Sequence, residues 1–158
     1  IPLPGGERLV YSRLTPDGPG PHPVALIFHG YSGDKDGPHP WQIARRLARE
    51  GYVTIRPDFR NNFVPEGHRD WSNRNESSGS LERFSLNGIL EDIALLLEHL
   101  KNDPTVDLDR VSLVGHSFGG ITVRHLAALA FRDDPRFARI RIRAVADLSG
   151  MIGPRQTF

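Results

Sequence analysis

The chain has no cysteine and a single methionine among its 158 residues, which removes disulfide frameworks, thiolate metal sites and cysteine nucleophiles from consideration. Without cysteine it suits either redox compartment. Long apolar runs are missing as well, and no stretch approaches the ~18 residues that a membrane span requires. Charge of one sign is not in excess. Lys and Arg number 20 against 19 Asp and Glu, for a formal net charge of +1, a balance that predicts steering toward neither nucleic acid nor a membrane surface. The seven histidines fall in no H-E-x-x-H or clustered ligand spacing, so no metal site is expected. Asp34-Lys35-Asp36-Gly37 opens like a calcium loop, but Arg45 stands where such a loop needs its bidentate Glu. The start, Ile1-Pro2-Leu3-Pro4-Gly5-Gly6, lacks the basic and apolar regions of a signal peptide. With no initiator methionine it reads as a trimmed start, so a removed leader stays open.

What remains is a globular composition, 38% hydrophobic and 25% charged, at a length suited to one domain over residues 1–158. Arg8 to Leu14 alternates as an early strand. Val24 to Phe28 is a continuous apolar run of the kind buried on both faces of a parallel sheet. Helical spacing follows at Trp41, Ala44, Leu47 and Ala48, with Trp41 read as core, and Gly51 stops it. Tyr52 to Ile55 is the next strand, and Asn61 to Ser80 is a long polar loop. Ile89, Leu90, Ile93, Leu96, Leu97 and Leu100 recur at three- and four-residue steps, the clearest amphipathic helix of the chain. Strand Val111–Val114, a helix from Ser117 and a last strand at Ile142–Leu148 complete an alternation that predicts an α/β fold with a largely parallel sheet and helices on both faces.

The chemistry centres on Gly115-His116-Ser117-Phe118-Gly119, a G-x-S-x-G lying between a predicted strand and a predicted helix. That context makes the pentapeptide a candidate nucleophile elbow, with Ser117 lifted above the sheet at a helix N-terminus. His116 is read as packing beside the nucleophile rather than acting as its base. In such sheets ligands bind beyond the carboxyl ends of the strands, and His29-Gly30-Tyr31-Ser32-Gly33 follows Phe28 there. The expected oxyanion donors are the N–H groups of Tyr31 and Phe118. A serine nucleophile also needs a base and a group that orients it. The one histidine after Ser117 is His125, about two helical turns away, roughly 12 Å along the axis. It cannot serve.

These stretches resemble the N-terminal part of an α/β-hydrolase, close in pattern to the cinnamoyl/feruloyl-esterase and dienelactone-hydrolase-like branch. The likeness rests on Leu26 to Lys35, on Gly51 to Arg60, on Leu100 to Pro104, and on Asp109 through Gly120. It implies a serine esterase acting on small-molecule carboxylic esters through an acyl-enzyme, with no metal or organic cofactor. It also implies a sheet cut short after the strand that follows the nucleophile helix, with the cap, last strands and catalytic histidine missing. Where many relatives carry Gly-His-Gly, this chain has Asn61-Asn62-Phe63. Ala144-Val145-Ala146-Asp147 resembles the acid position of platelet-activating-factor-acetylhydrolase-like relatives. Asp147 is therefore a candidate triad acid, the alternative being a strand-end cap or a ligand for a backbone amide. Trp71 either lines a substrate entrance or packs on the surface, and Asn75-Glu76-Ser77 is a glycosylation sequon. Two functions follow: a serine esterase, or a catalytically incomplete domain kept for binding or assembly. A sheet ended at that strand exposes an edge that invites self-association or a complementing C-terminal chain.

Overall fold

The computed structural model describes residues 1–62 and 75–150; Phe63, Trp71 and their neighbours lie outside the described residues. The elements are β1 (Tyr11–Leu14), β2 (His22–Phe28), α1 (Pro38–Arg49), β3 (Val53–Pro57), α2 (Leu86–Leu100), β4 (Val106–His116), α3 (Phe118–Phe131) and β5 (Ile142–Leu148). One sheet runs β1-β3-β2-β4-β5. Only β1 is antiparallel; the other pairings are parallel. The alternation of strand and helix thus gives the α/β sheet it predicted.

Side-chain period explains the layers. In β2, Val24, Leu26 and Phe28 face α2 and α3, where they meet Ile89, Ile93, Leu96, Val123 and Leu126. Ala25 and Ile27 point the other way, onto Ala44, Ile43 and Leu47 of α1. A strand covered on both faces needs apolar residues at every position, and each such buried side chain stabilises the fold by about 1.5–3 kcal/mol. Local signals set the helix limits. Pro38 opens α1, where a missing N–H costs nothing. The Ser85 hydroxyl accepts the Gly88 N–H at 3.1 Å and caps α2.

Three expectations are corrected. β4 begins five residues before the apolar run at Val111, because Val106 and Asp107 pair with His22 and Pro23 ahead of a register shift. Trp41 is not core. It is 39% exposed, and its ring roofs the buried Arg56 guanidinium, 4.7 Å from the centroid. The early strand starts only at Tyr11. At the far edge, β5 reads like an interior strand yet leaves Val145 and Leu148 44% and 42% exposed. Among the described residues, no helix is long and apolar enough to cross a membrane.

Candidate active site

Two turns leave the carboxyl ends of the adjacent strands β2 and β4. In the second, Ser117 sits between β4 and α3 at φ 54° and ψ −116°, a backbone region that costs a non-glycine residue about 1–3 kcal/mol. Its N–H donates to the Leu148 carbonyl at 2.9 Å, and its own carbonyl accepts from Gly120 N–H at 2.9 Å. Glycine is needed on both sides for want of space. A Cβ on Gly115 would overlap the Gly119 backbone, and one on Gly119 would overlap the Phe28 carbonyl. Phe118 and Gly119 are the first residues of α3, whose leading N–H groups have no intrahelical acceptor and carry the positive end of the helix dipole.

The first turn is Gly30-Tyr31-Ser32-Gly33, closed by Gly33 N–H donating to Gly30 O at 3.1 Å. It touches the second: a Cβ on Gly30 would lie 3.1 Å from Ser117 Cβ and 3.5 Å from its Oγ. His29 is 2% exposed. Its Nδ1 lies 2.8 Å from Gly30 O, and its Nε2 accepts the Phe59 N–H at 3.3 Å. These contacts fit one neutral tautomer, with the proton on Nδ1. Burial, only partly offset by the bond to Gly30 O, lowers the His29 pKa to about 4. His29 is therefore a neutral prop for the turn. The Gly30–Tyr31 peptide is planar, so its C=O and N–H point in opposite directions. With the carbonyl held by His29 and Gly33, the Tyr31 N–H is turned away from them. Among the described residues it has no acceptor.

Beneath this turn lies a charged cluster. Asp58 is buried and accepts the N–H groups of Lys35 at 2.7 Å and Glu76 at 2.9 Å. Lys35 Nζ contacts Asp36, Asp58 and Glu76. Burial works to lower the Lys35 ammonium, but the hydrogen bonds to Asp36 and Glu76 and the charge of Asp58 hold it above its ordinary value. Burial pushes the Asp58 carboxyl up, against the pull of the Glu76 and Lys35 amides. Such a cluster fixes the chain entering α1 and engages the Asp58 carboxylate on both oxygens.

Other candidates arrive as follows. Asp147 ends β5 opposite Gly115, close enough that a Cβ on Gly120 would strike its carboxylate. One oxygen accepts the Gly150 N–H at 2.8 Å, and the other lies 3.2 Å from Arg124. Each carboxylate oxygen has two acceptor sites, so a further donor can still be taken. His116 turns its ring toward His39, with centroids 4.9 Å apart. His125 is exposed, its Nδ1 2.9 Å from Ile121 O. Among the described residues no histidine hydrogen-bonds Ser117 Oγ. The Asn75 carboxamide, which carries the sequon, donates to Phe59 O at 2.9 Å. Phe84 stands between the rings of Tyr31 and Phe118, 5.2 and 5.1 Å from each. Asn62, buried and bonded to the Gly30 turn, was noted from the sequence only within the Asn61-Asn62-Phe63 departure, with no role assigned. Two asparagines in the loop that follows β3 were the available signal. Among the described residues, no group of three or more His, Asp or Glu side chains could hold a metal ion.

The comparisons bear on family and fold. The model of the dienelactone hydrolase family matches residues 11–134. A Synechocystis protein named as a candidate carboxymethylenebutenolidase is 28% identical over 109 residues, 64% of this chain and 41% of that one. Bacillus subtilis YitV, named as a candidate esterase, is 31% identical over 112 residues, covering 70% and 40%. The solved structure of Est1E from Butyrivibrio proteoclasticus with ferulic acid bound superposes with a TM-score of 0.70 at 24% identity, over 92% of this chain and 50% of that one. At that identity the likeness shows the fold, which is that of the α/β-hydrolases. The chain spans less than half the length of these two curated relatives.

Proposed function

Because the chain belongs to the dienelactone hydrolase family, we propose that it carries the nucleophile and the oxyanion site of a serine hydrolase acting on small carboxylic esters. The observation that carries the reading is the contact between the two turns. A serine in a strained strand-to-helix turn lies against a loop whose Tyr31 N–H has no acceptor among the described residues. In the proposed reaction Ser117 Oγ attacks the ester carbonyl carbon and gives its proton to a histidine base from outside the described residues. The carbonyl oxygen becomes an anion held by the Tyr31 and Phe118 N–H groups. Collapse of the adduct expels the alcohol, which takes the proton from the base, and leaves an acyl-Ser117 that water hydrolyses. Asp147 is the proposed acid orienting that base. The open β5 edge is the proposed face for self-association or a complementing chain.

The test is turnover of small aryl esters by the complete protein, with rapid quench and intact mass to trap the acyl group. A mass increase on Ser117 that is absent from Ser117→Ala supports the reading. Hydrolysis that survives in Ser117→Ala refutes it. A second reading, a catalytically incomplete domain, is favoured by the lack of a described histidine at Oγ. It is supported if the folded complete protein neither turns over nor acylates.

A further inference from the structure

We propose that Asn62 is a positioning residue for the oxyanion site, an inference that rests on the reading of Ser117 as nucleophile. The turn presenting Tyr31 N–H is short, and Ser32 within it has φ 56°, a conformation that a serine leaves readily unless it is held. The Gly30 carbonyl is fixed by His29 and Gly33 N–H, which sets the peptide plane that contains Tyr31 N–H. The following plane is set by Asn62. Its Oδ1 accepts the Ser32 N–H at 2.9 Å, and its Nδ2 donates to Gly33 O at 3.0 Å. One carboxamide thus takes a donor and an acceptor of the same turn, as a neighbouring strand would.

Asn62 is fully buried and is itself tied down, since the Asn75 carboxamide donates to Asn62 O at 3.4 Å and to Phe59 O at 2.9 Å. The chain of contacts runs from Asn75 through Asn62 to the turn, and from the turn to Ser117. The Tyr31 plane is therefore pinned on both sides, which is the preorganisation that an oxyanion donor requires. Residues about 30 positions apart in sequence meet here, joining the loop after β3 to the loop after β2.

Asn62→Asp is the discriminating variant. It is isosteric and still accepts from Ser32, but an ionised carboxylate cannot donate to Gly33 O and repels it. Once protonated, the substituted carboxyl can do both. In the complete protein at about pH 8, where a carboxyl is ionised, kcat should fall about 10- to 100-fold, a fraction of the loss on deleting an oxyanion donor. KM should change less than about threefold, because the effect lies in the transition state. The kcat ratio of variant to wild type should rise as pH falls toward the carboxyl range. The affinity of an arylboronate transition-state mimic should fall in step with kcat/KM, while a product acid binds unchanged. Asn62→Ala, checked for an intact thermal transition, should lose kcat without the pH rescue. A folded Asn62→Asp with wild-type kcat across that range overturns the inference alone. Survival of activity in Ser117→Ala overturns both this and the reading beneath it.

Discussion

The turn leaving β2 is held by side chains, whereas the turn leaving β4 is held by backbone and by the absence of side chains. His29 and Asn62 bond the first directly, and Asp58 holds the Lys35 N–H just beyond it. The second depends on Gly115 and Gly119, on whose empty Cβ positions neighbouring backbone atoms press, and on the Ser117 amide bonded to β5. The first can be tuned by titration and by isosteric substitution. The second is all or nothing, because close-packed backbone has no soft direction in which to yield.

The largest expected effect lies where the β4 turn meets chemistry. Asp147→Asn should lower kcat by about 10⁴-fold, near 5.5 kcal/mol of barrier, with little change in thermal midpoint. A loss below tenfold would leave Asp147 as a ligand of Gly150 and Arg124 only. Gly119→Ala comes next. Its Cβ overlaps backbone carbonyls of β2, so unfolding in urea should show a loss of about 3 kcal/mol or more. A stability within 1 kcal/mol of wild type, on the same estimate, would mean that the β4 turn does yield.

For the β2 turn the sharper probe is pH. His29 binds a proton less readily folded than unfolded, so its contribution is present above its ordinary pKa of 6.5 and is lost as pH falls toward about 4. The loss is of order 3 kcal/mol at most. Thermal midpoints recorded across that window should fall with acidification, and His29→Asn should flatten the slope. An unchanged slope would mean that His29 is protonated without consequence. Smallest is the β5 edge. Val145→Lys, placed on the exposed face of the edge strand β5, should reduce any self-association seen by light scattering while shifting stability by under about 0.5 kcal/mol.

How much of this was readable from the chain follows the same division. The β4 turn is local. An apolar strand, five residues and a helix announce it, and the strained Ser117 sits where the pattern put it. α2 and the both-faced burial of β2 were legible for the same reason, since periodicity is a property of neighbours. The β2 turn was legible as a glycine-rich loop but not as a clamped one. Asn62 reaches Ser32 and Gly33 from an aperiodic polar stretch, and no local period encodes such a contact. Trp41 misled because its helical spacing was apolar, while the ring covers a buried arginine rather than the core. The extra residues of β4 were hidden because Asp107, Asp109 and Arg110 break the apolar run, and the pairing to β2 resumes at Val111 only after a register shift. Asp147 was named only through a resemblance, and its place opposite Gly115 and its bonds to Gly150 and Arg124 needed coordinates.

The central claim is that Ser117 is an activated nucleophile held against the Gly30 turn. The most direct test is labelling of the complete protein with a fluorophosphonate, read by intact mass beside Ser117→Ala. The account predicts one adduct per chain, formed at Ser117 and absent from the variant. A folded protein that takes no label, or a Ser117→Ala protein that takes it equally, would contradict it.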